Sequence, residues 1–178
     1  MTETAPPADA TTSAGDTPRR SPTVLIVVLS VLLVLLSAAA LIGALQLREY
    51  KQRDDARAAA LVAARQEALN LTSIDGRDID ADLARVLDGA TGGFKTDFAQ
   101  RSKDLKTVLT ENQVVAEGKV LEAALVRSDT DTATALVVVD SNVKNKAAPQ
   151  GRSNTYRMQL DLEKHGNRWL TSALQFVG

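Results

Sequence analysis

One stretch decides most of what this chain can become. From Val24 to Leu47 it reads VLIVVLSVLLVLLSAAALIGALQL, uncharged, with only Ser30, Ser37, Gly43 and Gln46 departing from aliphatic side chains and alanine. A bilayer core is crossed by about 20 apolar residues in a helix. In water, a helix that is apolar on every side needs other elements around it, and the rest of this chain is too short and too polar to supply them. The run is read as a single transmembrane helix over residues 23–47, with Val24, Leu25, Leu32, Leu36, Leu41 and Leu45 among its membrane-spanning side chains.

Two other anchors compete with this reading. Arg19 and Arg20 followed by Ser37-Ala38-Ala39-Ala40 have the outline of a cleavable secretory signal. Against it, Leu41, Ile42, Leu45 and Leu47 continue the apolar run where a polar cleavage region is expected, and the core exceeds the roughly 7–15 residues of such signals. A lipoprotein anchor requires cysteine, and the chain has none. The same absence removes disulfides, thiolate metal sites and cysteine nucleophiles.

The run divides the chain. Residues 1–22 are Thr, Ala, Pro, Ser, Asp and Gly with almost no large apolar side chain, so they are expected to form a disordered cytoplasmic tail. Orientation is less sharply written than the span. The far flank carries Arg48, Lys51, Arg53 and Arg57 against Arg19 and Arg20 on the near one, which by charge counting places the C-terminal side inside; long domains, however, translocate largely regardless of charge. The expected arrangement keeps the N-terminus in the cytoplasm and the C-terminal domain outside the plasma membrane.

Beyond the span, acidic and basic residues balance. A neutral domain lacks the basic face that nucleic acid requires, and the sparse aromatics do not form a stacking platform. Residues 48–71 lack Gly and Pro and are rich in Ala, Arg, Glu and Gln, good helix formers. They are read as a stalk and first helix running on from the membrane. Leu61, Ala64, Ala68 and Leu71 fall at helical spacing. That face packs either on its own domain or on a partner helix, and Arg53, Arg57, Leu61 and Ala64 are the candidate partner-facing residues, with homo-oligomerisation through the stalk as one outcome.

Residues 72–178 read as one α+β domain. Residues 72–79 are expected as a loop, with Asp80 capping a short helix over residues 81–88 that Gly89 ends. A third helix follows Ala90-Thr91-Gly92-Gly93. Four strands come next: residues 113–127, weakly alternating; 132–143, β-branched; 154–164, cleanly alternating; and 168–177, after the His165-Gly166-Asn167 turn. Residues 144–153, with Pro149 and Gly151, are expected as a polar loop. Helices followed by an antiparallel meander predict three helices packed on a curled four-stranded sheet, with Phe94, Phe98, Tyr156, Leu160, Trp169 and Leu174 as core markers.

That order, with a tryptophan opening the last strand after a glycine turn, resembles the SnoaL-like, cystatin-like cone folds. With the span added, Asp80-Ala81-Asp82-Leu83, Ala90-Thr91-Gly92-Gly93-Phe94 and Gly166-Asn167-Arg168-Trp169-Leu170 resemble the mycobacterial and actinobacterial Mce-associated membrane proteins. The resemblance implies a non-catalytic accessory or scaffold subunit of an Mce-type lipid (sterol or fatty acid) import complex. Its implied partners are the bilayer, the Mce permease and the substrate-binding subunits.

Chemistry-bearing patterns are few. Cone-fold enzymes use an Asp, His or Tyr inside the cone. Here the one histidine, His165, falls in a turn, and alternation sends Tyr156 and Asp161 to opposite faces of one strand. Asp82 and Asp88 flank a short helix, where capping and solvation explain them as well as a cone-mouth role. The acidic run Asp75, Asp78, Asp80, Asp82 departs from the EF-hand pattern, with glycine too early and Val86 where a bidentate glutamate belongs. No cofactor or metal is expected. The runner-up reading is a bitopic scaffold of a secretion or conjugation machine; a membrane-tethered cone-fold enzyme comes third and requires Asp82 or Tyr156 buried in a pocket.

Overall fold

A computed structural model describes residues 22–178, so the tail expected at residues 1–22 lies, but for Pro22, outside the described residues. The described chain runs α1 (Pro22–Thr72), β1 (Ile74–Asp75), α2 (Ile79–Gly89), α3 (Gly92–Glu111), β2 (Val115–Ser128), β3 (Thr132–Asn145), β4 (Ala148–His165) and β5 (Arg168–Phe176). It divides into two compact units between Gln46 and Leu47.

In the first unit, α1 is apolar all round. Its most apolar window has a mean hydropathy of 2.3, and none of it is buried in the protein. Leu32, Leu36, Leu41 and Leu45 are each more than half exposed. Val24 and Leu25 belong to the same helix, but their side chains lie outside the described residues. Water penalises such an apolar surface heavily. The two hydroxyls in the run are consumed inside the helix: Ser30 Oγ donates to the Ile26 carbonyl and Ser37 Oγ to the Leu33 carbonyl, both at 2.8 Å. A helix in hydrocarbon must satisfy its polar groups internally, and these two hydroxyls meet that demand.

The second unit, Leu47–Gly178, is built on a five-stranded antiparallel sheet in simple chain order, β1-β2-β3-β4-β5. Its stretch of α1 is exposed as far as Asp55, and burial begins at Ala56. From there Ala56, Ala60, Ala64 and Ala68 lie every fourth residue on one stripe and are nearly or fully buried. They join Ala135, Val137, Val139, Met158, Leu160 and Leu162 in the core. Alanine at each contact lets the helix backbone approach the sheet closely. The helix end is fastened there as well: Ser141 Oγ donates to the Thr72 carbonyl at 3.0 Å, and Gly118 N–H to Ser73 Oγ at 3.0 Å. A Cβ at Gly118 would lie 2.2 Å from Thr72 Oγ1, so the strand passes too close for any side chain.

Two bulges curl the sheet. In the β2–β3 pairing the register shifts between Val120 and Glu122 and again between Leu125 and Arg127. Leu121 and Val126 are the extra residues, and each is more than half exposed. Bulges bend a strand and increase its twist. They also explain why β2 alternates weakly in sequence, since its core-facing positions Val120, Ala123 and Leu125 are spaced three and then two. A third shift on β5, at Ser172, puts Leu174 on the face of Trp169 and Thr171, although strict alternation separates Trp169 from Leu174.

Several expectations need correction. The loop expected over residues 72–79 contains the two-residue strand β1, paired with Val115 and Ala116. Helix α2 starts earlier than expected, and Asp80 sits in its first turn, where its carboxylate meets Lys106 Nζ at 2.6 Å instead of capping. Most of the expected loop over residues 144–153 is strand. Pro149 is tolerated because β5 pairs only from Met158 onward, which leaves this part of β4 a free edge. Proline lacks the N–H that a paired strand needs, so an edge accommodates it. Gly151 takes a left-handed φ of 89°, where a side chain would strike Asn142. Phe94 and Phe98, expected in the core, are only half-buried: α3 buries no residue, and the two rings pack on each other with centroids 5.9 Å apart. Ala64, a candidate partner-facing residue, is fully buried against its own sheet, and Leu61 packs at the edge of the same core. Arg53 and Arg57 are exposed.

Candidate functional site: the cleft between the long helix and the sheet

Among the hollows of the described residues, two hold the cone's candidate functional side chains. One is an apolar pocket of about 300 Å³ at the mouth, lined by Leu71, Leu109, Val143, Tyr156 and Phe176 among others. Tyr156 is half-buried and packs on the Phe176 ring at 6.0 Å. The nearby polar side chains are already engaged, with Ser141 and Thr72 both donating to carbonyls of the helix. No acid or base among the lining residues faces Tyr156.

Asp82 is buried, but its role is structural. Its Oδ2 accepts the Asp75 N–H at 2.6 Å, and its other oxygen takes the Arg85 guanidinium. It does not line the mouth pocket. Asp75 is held near the bottom of the carboxylate range by the hydrogen bonds it accepts from Arg77. Among the described residues, no group of three His, Asp or Glu is placed to hold a metal ion. His165 is exposed at the end of β4, with Nε2 3.5 Å from Glu163.

The second place is a cleft of about 420 Å³ between α1, α2 and the start of β5. Its central residue is one that sequence reasoning does not single out. Glu67 is 2% exposed, on the face of α1 that also carries the alanine stripe. Its Oε2 accepts from Asn70 Nδ2 at 3.0 Å, while Oε1 has no hydrogen-bond partner among the described residues. Gln66 Nε2 donates to Asn70 Oδ1 at 2.9 Å and so orients the amide. Burial pushes the Glu67 carboxyl up to about 7; the Asn70 hydrogen bond works against this and the Asp88 charge adds to it. Gly89 closes over the carboxyl, since a Cβ there would lie 2.1 Å from Oε2.

Trp169, expected as a core marker, is 7% exposed and lines the same cleft, with its indole Nε1 unpartnered among the described residues. Beside it, Arg168 Nη2 grips Asp88 Oδ2 at 2.6 Å and ties β5 to the end of α2. That contact holds Asp88 below the usual carboxylate range. Sequence position does not set Glu67 apart: it directly precedes Ala68, just as the exposed Asp55 directly precedes Ala56. An acid beside an apolar stripe is read as solvated unless the width of the buried face is known.

A long apolar helix followed by helices on a curled antiparallel sheet defines a membrane-type, cone-fold protein. The fold is shared with an IcmL-like type IV secretion system protein of Legionella pneumophila, at 15% identity and a TM-score of 0.56, over 68% of this chain and 91% of that one. It is also shared with the periplasmic domain of DotI, at 11% identity and a TM-score of 0.52, over 67% of this chain and 94% of that one. At these identities the likeness is one of fold. The chain belongs to the family described as "Uncharacterized protein Rv1363c/MT1408-like", whose model matches residues 21–178. The protein Rv1363c of Mycobacterium tuberculosis (strain ATCC 25618 / H37Rv) is 33% identical over 132 residues, which are 74% of this chain and 51% of that one. The chain thus spans about half the length of this curated relative.

Proposed function

We propose that this chain is a non-catalytic accessory or scaffold subunit of a cell-envelope complex, anchored in the plasma membrane by the apolar half of α1. In this reading the tail is cytoplasmic and the cone extracytoplasmic. The observation that carries it is the state of the cone's polar groups. Asp82 is spent on a backbone N–H and an arginine, and Tyr156 faces an apolar pocket without an acid or base. General acid–base catalysis needs a proton-transferring group within reach of a substrate; the deepest carboxyl, Glu67, is sealed beneath Gly89. At finer grain, we assign the chain to an Mce-type lipid importer. This rests on the sequence resemblance, with the permease beside the span and the substrate-binding subunits on the cone as partners.

The second reading is a scaffold of a secretion machine, favoured by the fold shared with the IcmL-like protein. Crosslinking and mass spectrometry on the tagged chain, purified from native membranes in mild detergent, separates the two. Crosslinks from the exposed Lys51 or Lys103 to an Mce permease or substrate-binding subunit are the expected result. Crosslinks to secretion components would transfer the assignment to the second reading. A preparation free of partners would remove both.

A further inference from the structure

The Glu67 carboxyl is unusual in its enclosure. One oxygen has a single amide donor, the other has no partner among the described residues, and no cation is hydrogen-bonded to either. An ionised carboxylate in such a place forgoes most of its hydration with little in return. The neutral acid fits without that cost. Against it lies Gly89, at the end of α2, so close that no atom fits between.

The charged groups around it sharpen the contrast. From α2 come Asp88, whose negative charge opposes ionisation, and Arg85, whose guanidinium is engaged by Asp82. From β5 comes Arg168, committed to Asp88. Beyond these, Lys95 on α3 acts on Asp88. None of these cations is hydrogen-bonded to Glu67. The cleft beside it is wide enough for several waters, and water is what an ionised Glu67 requires.

We propose that Glu67 is a proton-operated latch between α1 and the end of α2: neutral, it lies sealed under Gly89, and ionised, it draws water in and loosens the cleft floored by Trp169. The hinge is the end of α2. It is held to β5 by the exposed Asp88–Arg168 pair and to α1 by the long 3.5 Å contact from Asn70 Nδ2 to the Arg85 carbonyl. Burial places the midpoint of the transition near neutrality.

Trp169 is the chain's single tryptophan, so the cleft carries its own reporter. The test follows its fluorescence in the full chain, held in lipid nanodiscs, from mildly acidic to mildly alkaline pH. The emission should shift to the red and acrylamide quenching should rise, with a shared midpoint near 7. Glu67→Gln should hold the blue, poorly quenched state throughout, and His165→Gln, the control for the one imidazole, should leave the transition in place. A flat wild-type profile overturns the latch, and so does a transition that survives Glu67→Gln or vanishes with His165→Gln. If Glu67→Gln does not fold, an infrared pH-difference spectrum of the wild type decides. Loss of a carboxylic-acid carbonyl band at the fluorescence midpoint supports the latch; no such loss, or a separate midpoint, overturns it.

Discussion

Glu67 also leaves a mark on stability. A carboxyl raised from 4.5 to about 7 binds its proton more tightly in the folded chain than in the unfolded one. Its contribution is fully present below pH about 4.5, falls as pH rises toward 7, and is lost above that. The interval corresponds to roughly 3 kcal/mol, taken as an order of magnitude. Replacing Glu67 with Gln should therefore stabilise the chain by about 1–3 kcal/mol on the alkaline side of neutrality and change little in mild acid. Chemical denaturation at two pH values measures this; equal effects at both would contradict it. Asp75 and Asp88 are shifted the opposite way, held low by their hydrogen bonds from Arg77 and Arg168. In the sequence Glu67 is only one acid among several in a helix. Its burial depends on how broad a face α1 presents to α2, and periodicity does not carry that information.

Elements are legible where one period holds without interruption. The alternation Tyr156, Met158, Leu160, Leu162 marks β4 in the sequence and faces the core in the structure. The alanines of α1 show their helical spacing plainly but not their destination, because a stripe of small apolar residues suits a sheet and a partner helix equally. The structure sends it to the sheet. Ala64→Leu should then overpack a fully closed contact and cost about 1–3 kcal/mol. Thermal melting of the variant checks this; an unchanged melting temperature would mean the stripe has room. Legibility fails where the period breaks or a turn signal misleads. The bulges at Leu121 and Val126 blur β2. Pro149 and Gly151 suggest a loop where one edge of β4 tolerates both. Phe94 and Phe98 are large and apolar, which suggests core, yet α3 lies outside the buried cluster.

At the scale of the whole molecule, the two units make different demands on solvent. Leu47–Gly178 contains every residue of the buried core. A chain beginning at Leu47 should therefore be soluble and melt in one cooperative transition, as followed by circular dichroism. Insoluble or non-cooperative material would show that the apolar half of α1 is needed to complete the fold. The span itself is the plainest message in the sequence, because composition alone sets it. The site is the least plain, since it arises from α1, α2 and β5 together, and distant segments leave no joint signal in a single sequence.

The two extra residues of β2 have one more effect. Past Ala116, β1 has ended, and the outer side of β2 has no strand beside it among the described residues. A straight, evenly hydrogen-bonding border of that length invites another copy of the chain to zip onto it. With Leu121 and Val126 interrupting its rhythm, and Glu117, Lys119, Glu122 and Arg127 charged along its length, this border offers no regular template. The irregularity that curls the cone thus also guards the chain against ribbon-like self-association.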